Sequence, residues 1–510
     1  MKQKIPGDNI KFIINSNADL CVRVTDYIKS TLGPCSMSKV FFSKETNIIT
    51  NDGATILNTL NIPHPISRIL IEISKSQDFE VGDGTTSVCI LATELIMMAK
   101  HLIEEGLCIN LINKGFRKSC IICIQMINEI SKRIQDTNIK TIKKSLMSCC
   151  ATSLNSKLIS TRRHIFSEMI VNICIYMGED FDLNMISVKN ITGGCINDSF
   201  FIKGIGIKKP FSYAGSEKQF KKYYFPKILV TDIELEIKPE KNNAESKIKY
   251  IQNFQAIIDA EWSIIYEKLD KICKSKIKAV FSKSSVGDLS TQYFAERGVL
   301  CGGRISSDDI NRIAVGTCAQ TISSISDIND FTLGRCNLIE ERQIGEERFL
   351  ILSGCKSESV TIILRGASDN LLQEIKRCLN DGIMIVKKTI KNQTIVGGAG
   401  SIEMHLSCKL RKYATSLTGQ NQLIVSKYAK ALEVIPRTIC ENAGLDFMNM
   451  VSKLRYLHTN SLNWAGVDIE KGKILNSYQN YIWEPSLTKI SILQAATEAA
   501  CSILTVDSML

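Results

Sequence analysis

Histidine is scarce in this 510-residue chain: there are five, and they never cluster. A His-based metal centre and a Ser-His-Asp hydrolase are therefore not expected. Metal-spaced cysteine pairs are also missing. The 19 Cys are scattered, and the one pair at CxxC spacing, Cys120 and Cys123, lies in an apolar helical run with no second such pair. These thiols read as core residues in a reduced setting. Apolar runs are short and interrupted, so neither a secretory signal nor a membrane span is expected. There is no tandem repeat and no low-complexity segment. What the chain does have is 44% hydrophobic residues, 23% charged residues and a net charge of +11. That is enough for a real core in about two to four domains. Lys and Arg are spread throughout, so a dedicated nucleic-acid surface is only weakly indicated, and neither nucleic acid nor membrane is expected as a partner.

One stretch organises the rest. Val81-Gly-Asp-Gly-Thr-Thr-Ser-Val88 reads as a loop entering a helix. Gly82 and Gly84 permit backbone angles other residues avoid. Thr85, Thr86 and Ser87 fall where a helix has unpaired N–H groups. Val88, Leu91, Ala92, Leu95, Ala99 and Leu102 then recur as a buried stripe, and Gly106 supplies a stop. Amides and hydroxyls at a helix start seat phosphate, and Asp83 in their midst calls for a metal between it and the phosphate. No Gly-Lys-Ser/Thr follows, so this is not a Walker A loop. The dinucleotide fingerprint lacks its third glycine. Taken alone, Gly-Asp-Gly before a helix is more often just a tight turn with a good cap.

Residues 8–31 read as a helix with Ala18, Val22 and Ile28 buried, ended by Leu32-Gly33-Pro34. Val40–Phe42 and Ile48–Ile49 read as short strands leading to Asn51-Asp52-Gly53-Ala54-Thr55, an acid-tipped turn before a helix. Helices follow at 66–76 and 107–135. Between about 204 and 360, runs such as Ile228–Val230, Ala279–Phe281 and Val299–Cys301 alternate with helices, the mark of an α/β domain. Ile251, Phe254, Ile258, Trp262, Ile265, Leu269 and Ile272 stripe one helix. It either packs on its own sheet or offers that face to a partner. Val360–Gly366 is a strand, 371–391 a helix carrying Asp381, and Gly397-Gly398-Ala399-Gly400 a second glycine-rich turn. Trp483-Glu484-Pro485 reads as a turn. The middle thus looks inserted into a helical body built from both ends.

The Leu-Gly-Pro, Asn-Asp-Gly and Gly-Asp-Gly-Thr-Thr-Ser loops, the Asp381 helix and the turn at 397–400 resemble, in order and spacing, the chaperonin family over essentially the whole chain. The long helix after residue 243 is similar to the built-in lid of group II members, the cytosolic TRiC/CCT type. Phe211–Gly215, Lys221–Pro226, Asp259–Trp262 and Tyr428–Arg437 resemble one particular subunit type of that group. The resemblance implies a multidomain α and α/β chaperonin architecture. An equatorial domain (1–135 and 395–510) would bind ATP. A hinge-like intermediate domain (136–203 and 361–394) would follow, and an apical client-binding domain (204–360) would carry a protrusion near 240–275. It implies two stacked eight-membered rings of paralogous subunits in the cytoplasm that fold clients of the actin and tubulin class.

By the same resemblance Asp83 binds Mg²⁺, and Gly84, Thr85, Thr86 and Ser87 bind phosphates. Gly33 and Pro34 line the nucleotide, and Asp52 and Asp381 position the attacking water. Gly398, Glu484 and Lys489 lie near ribose and base, with Ser156 close by. Either Asp alone reads as a cap or a solvated side chain, and only the joint pattern makes them catalytic. Cys35-Ser36 replaces a basic residue and a glycine of the family, Ala399 replaces a glycine, and both termini look short. Slow turnover is therefore expected from an otherwise complete Mg-dependent ATPase. The rival is a passive ring subunit that binds nucleotide and clients without hydrolysis. A stand-alone phosphotransferase fits the inserted domain and lid-like helix poorly.

Overall fold

The computed structural model describes residues 6–42, 47–60, 62–134, 139–210, 220–236, 251–460 and 462–506. The chain forms two compact units. One comprises 1–175 and 373–510, the other 176–372. The fold is multidomain, α and α/β.

The first unit is helical. At its centre runs the Thr85–Glu104 helix. Its expected stripe, Val88, Leu91, Ala92, Leu95, Ala99 and Leu102, is fully enclosed. This helix is long and apolar enough to cross a membrane, contrary to the expectation of interrupted runs, but 72% of its most apolar window is buried. Helices Pro6–Lys29, Pro65–Val81, Ile109–Ile130, Gln420–Leu432 and Ser486–Leu504 pack around it. In the first of these, Ala18, Cys21, Val24 and Ile28 face the core, while Val22 is only half-buried. The buried row steps by three and four residues, which leaves Val22 on its edge. Cys120 and Cys123 are core thiols, both held protonated by burial.

Lys39–Phe42 and Asn47–Thr50 pair antiparallel. Trp483–Pro485, expected as a turn, is a strand: it pairs with Thr394–Gly397, Glu484 opposite Val396. The ladder overrides the turn signal, and Pro485 sits at the strand's end, where a missing N–H is tolerated.

The second unit is α/β. Four parallel strands run Thr321–Ile322, Lys227–Thr231, Ala279–Ser282 and Leu300–Gly302. A six-stranded sheet includes Ile186–Thr192, Val360–Gly366, Phe200–Ile207 and Glu347–Ser353. The Ile251–Lys274 helix buries Leu269 and Ile272 against this unit's own core, with Ile265 packed alongside. Further up, Ile264 and Tyr266 are exposed. The side chains of Ile251, Phe254 and Ile258, the segment 237–250 and the stretch Phe211–Gly215 lie outside the described residues.

Candidate functional site

The Asp83 loop forms because glycine stands where the chain turns left-handed. Gly82 (φ 76°) closes the preceding helix, and Gly84 (φ 81°) is the N-cap of the Thr85–Glu104 helix. Gly84 has no side chain, so the first-turn amides carry no side-chain cap. Asp83 Oδ1 accepts from its neighbour's N–H, Gly84 N, at 2.7 Å, and the Asp83 carbonyl accepts from Gln77 Nε2 at 3.0 Å. Gln77 in turn accepts from Ser491 Oγ at 2.7 Å, tying the loop to the Ser486–Leu504 helix.

Asp52 caps its own helix, Gly53–Thr59, taking the amide of Thr55 at 3.0 Å. Its other oxygen accepts from Thr85 Oγ1 at 3.2 Å. Gly53 is required here: a methyl on it would lie 2.7 Å from Thr86 Oγ1. Two helix starts therefore meet, one capped by a carboxylate and one open.

Asp381 comes from the Asp369–Asn392 helix. That helix crosses the loop so closely that a methyl on Gly82 would lie 2.7 Å from Met384 Cβ and 3.5 Å from Asp381 Cα. Asp381 Oδ2 forms an ion pair with Lys157. Burial pushes the Asp381 carboxyl up to about 7 against the pull of Lys157, and nearby Asp52 adds to the rise. Burial draws the Lys157 ammonium down, but Asp381, Cys378, Asp52 and Asp83 outweigh it and hold it well above its usual range. Asp78 is also raised, by burial and by Asp52, with Asp83 contributing. Asp52, Asp83 and Asp381 thus share one electrostatic neighbourhood with Lys157 and Asp78.

The remaining expected residues line two further turns. Gly33 (φ 91°) packs its Cα side toward Ile439, and Pro34 is exposed. Gly400 (φ 75°) caps the Ser401–Thr415 helix, again without a side-chain cap, and packs on Pro436. The Val434–Asn442 helix therefore backs both turns. Ala399 adopts φ 57°, a left-handed angle costly for alanine, and its carbonyl accepts from Val467 N at 3.1 Å. Gly398 sits against Glu484. Lys489 bridges Glu484 (2.7 Å) and Glu403 (2.8 Å), so its charge is already matched. Ser87 is half-buried in the first turn beside Thr85 and Thr86. The Ser156 carbonyl accepts from Ser36 Oγ at 2.9 Å and also from Asn51 Nδ2, while its own hydroxyl turns back to Ser153 O at 3.2 Å. It is the next residue, Lys157, that reaches the acids.

The donor set fits a magnesium-bound triphosphate. Uncapped amides and threonine hydroxyls suit phosphate oxygens. Among the described residues no three His, Cys, Asp or Glu side chains could share a metal. A cation at Asp83 would therefore draw its remaining ligands from phosphate and water, as Mg²⁺ does. Two buried acceptors, Asn51 Oδ1 and Glu403 Oε2, lack a protein partner. Lys157, Asp78 and Glu403 were not foreseen. Lys157 pairs with a residue 224 positions away, and no local pattern marks that.

The chain matches the TCP-1/cpn60 chaperonin family over residues 24–510. It is 44% identical to the T-complex protein 1 subunit eta of Arabidopsis thaliana over 497 residues, 96% of this chain and 89% of the relative. Its identity to the eta subunit of Homo sapiens is 42% over 494 residues, covering 96% and 91%. Against that of Saccharomyces cerevisiae it is 44% over 511 residues, covering 99% and 92%. The resemblance first read from five linked motifs thus extends along both units, and the chain belongs to the TCP-1/cpn60 chaperonin family.

Proposed function

We propose that this chaperonin chain is an ATP-hydrolysing subunit of a hetero-oligomeric double ring of the eta type. It would work in the cytoplasm beside paralogous subunits, eight to a ring, on clients of the actin and tubulin class. In this reading residues 1–135 and 395–510 bind nucleotide, 136–203 and 361–394 act as the hinge-like segment, and 204–360 receives clients. One observation carries the ATPase reading: Asp52, Asp83 and Asp381 converge beside the uncapped start of the Thr85–Glu104 helix.

When bound, a magnesium–ATP complex supplies an electrophilic phosphorus whose charge is partly neutralised. The chain's own parts divide the remaining work. The amides of Thr85, Thr86 and Ser87 hold phosphate oxygens, Asp83 anchors the cation, and the glycine turns at Gly33 and Gly398 let the ligand approach the backbone. Asp52 and Asp381 orient a water, and Asp381, with a carboxyl near 7, accepts its proton. A base held in a buried ion pair with Lys157 must be released before it can act, which supports slow turnover. The same observation favours the second reading, a passive subunit in which Lys157 never releases Asp381.

The test uses the assembly containing the full chain, photolabelled with 8-azido-ATP carrying label at the α or the γ phosphate. The α label reports binding at this chain and the loss of γ label reports hydrolysis there. Asp83→Asn is expected to abolish both labels. Asp381→Ala is expected to keep the α label and retain the γ label. Equal γ loss in parent and Asp381→Ala assemblies would refute the ATPase reading.

A further inference from the structure

The Asp381 helix touches the Asp52 turn at a second point, two turns earlier. Glu374 is buried, its side chain 3% exposed. Its Oε1 accepts from Thr50 Oγ1 at 3.1 Å and from Asn51 N at 3.4 Å, and its Oε2 accepts from Arg377 of the same helix at 2.8 Å. Thr50 is fully buried, and its hydroxyl also accepts from Asp52 N at 3.1 Å. One hydroxyl therefore joins Glu374 to the backbone of Asp52. Asn51, the other donor, reaches Ser36 and the Ser156 carbonyl through its side chain. The carboxylate thus grips the two residues that precede Asp52, and through Asn51 it is linked to the Ser156 carbonyl beside Lys157.

Position along the helix gives this grip its meaning. Glu374 and Asp381 are seven residues apart. At about 100° and 1.5 Å per residue they share one face, roughly 10 Å apart along the axis. One end of that face is pinned to the strand leading into Asp52, and the other carries the acid that must meet Asp52. Helix packing alone would be served by an aliphatic side chain, since a buried carboxylate is costly unless its hydrogen bonds are made. What the carboxylate adds is direction. Hydrogen bonds to a hydroxyl and an amide fix rotation and axial register, where apolar contact would allow sliding.

We infer that Glu374 is a positioning residue, a latch that sets Asp381 against Asp52 by holding Thr50 and Asn51; this rests on the ATPase reading above. Glu374→Ala is expected to slow γ-label loss from this chain about tenfold while α-label binding stays within about twofold, since misplacement of reacting groups costs rate before affinity. Glu374→Gln keeps an oxygen for Thr50 and Asn51 and should retain most of the rate. Thr50→Val removes the donor from the other side. It should slow hydrolysis to a similar degree, and the double variant Glu374→Ala/Thr50→Val should be no slower than either single one.

Three outcomes would overturn the latch while leaving the ATPase reading intact, provided Asp381→Ala is inert. These are Glu374→Ala hydrolysing at the parent rate, α-label binding lost in step with the rate, and fully additive single variants. If Asp381→Ala itself hydrolyses at the parent rate, the ATPase reading fails and the latch falls with it.

Discussion

Asp381 is the residue whose environment says most about rate. Burial, reinforced by Asp52, raises its carboxyl to about 7, and Lys157 acts in the opposite direction. Only the ionised form can accept a proton from water, so hydrolysis at this chain should rise as pH climbs through 7 and level off above it. Removing Lys157 removes the cation that stabilises the carboxylate. In a Lys157→Ala assembly the rising limb should therefore move to higher pH, while Asp381→Asn should abolish it. Single-turnover γ-label loss at this chain between pH 6 and 9 measures both. A limb that stays in place without Lys157 would mean that the ion pair does not tune the base.

At the scale of elements, the site depends on how closely the Asp369–Asn392 helix crosses the Gly82 turn. Gly82→Ala meets two penalties: a left-handed φ of 76°, and a methyl 2.7 Å from Met384 Cβ. Together these should cost about 2–4 kcal/mol and push the helix, with Asp381, off the loop. Gly106→Ala is the control, with φ 94° and nothing within 4 Å of the added methyl, so only the conformational cost of about 1–2 kcal/mol applies. Denaturant midpoints give the costs, and hydrolysis should fall in the first variant alone.

A second pair of elements holds a pH-sensitive contact. His405 of the Ser401–Thr415 helix meets His458 of the Phe447–Thr459 helix edge-on, with ring centroids 5.8 Å apart. Burial lowers His405 from 6.5 to about 4, with His458 and the nearby Lys409 and Lys412 adding to the effect, and neither ring nitrogen has a protein partner. Below pH 6.5 the unfolded chain takes up a proton that the folded one refuses, so stability falls as pH drops toward 4. The loss is roughly 2 kcal/mol between pH 6.5 and 5. His405→Leu should flatten that slope, and thermal unfolding at pH 5 and 7.5 would detect it. Elements differ in how much of them a sequence discloses. The Asp52 and Asp83 turns were legible because glycine, acid and helix cap lie within a few consecutive residues. So was the Thr85–Glu104 stripe, which follows helical period. Lys157, Glu374 and the strand at Trp483–Pro485 were not. Each takes its role from a partner more than 80 residues away, and long-range pairing leaves no local period or spacing.

For the molecule as a whole, every residue proposed to touch nucleotide falls within 1–175 or 373–510, and none within 176–372. Ligand linkage stabilises what the ligand contacts, by about 2.7 kcal/mol at a hundredfold excess over Kd. Saturating magnesium–nucleotide should therefore slow amide exchange in the first turns of the Thr85–Glu104 and Ser401–Thr415 helices and at the start of Ser486–Leu504. Exchange in the parallel strands Lys227–Thr231 and Ala279–Ser282 should be unchanged, because these are held by their own core of Ile228, Val230, Ala279 and Phe281. In the Asp83→Asn chain the protection of the first unit should vanish without any change in the second, since the loss removes a ligand contact and leaves both cores intact. Protection appearing in the second unit's strands, in parent but not in Asp83→Asn, would show that the two units share one stability. Ligand stabilisation at the nucleotide site would then extend to the whole chain.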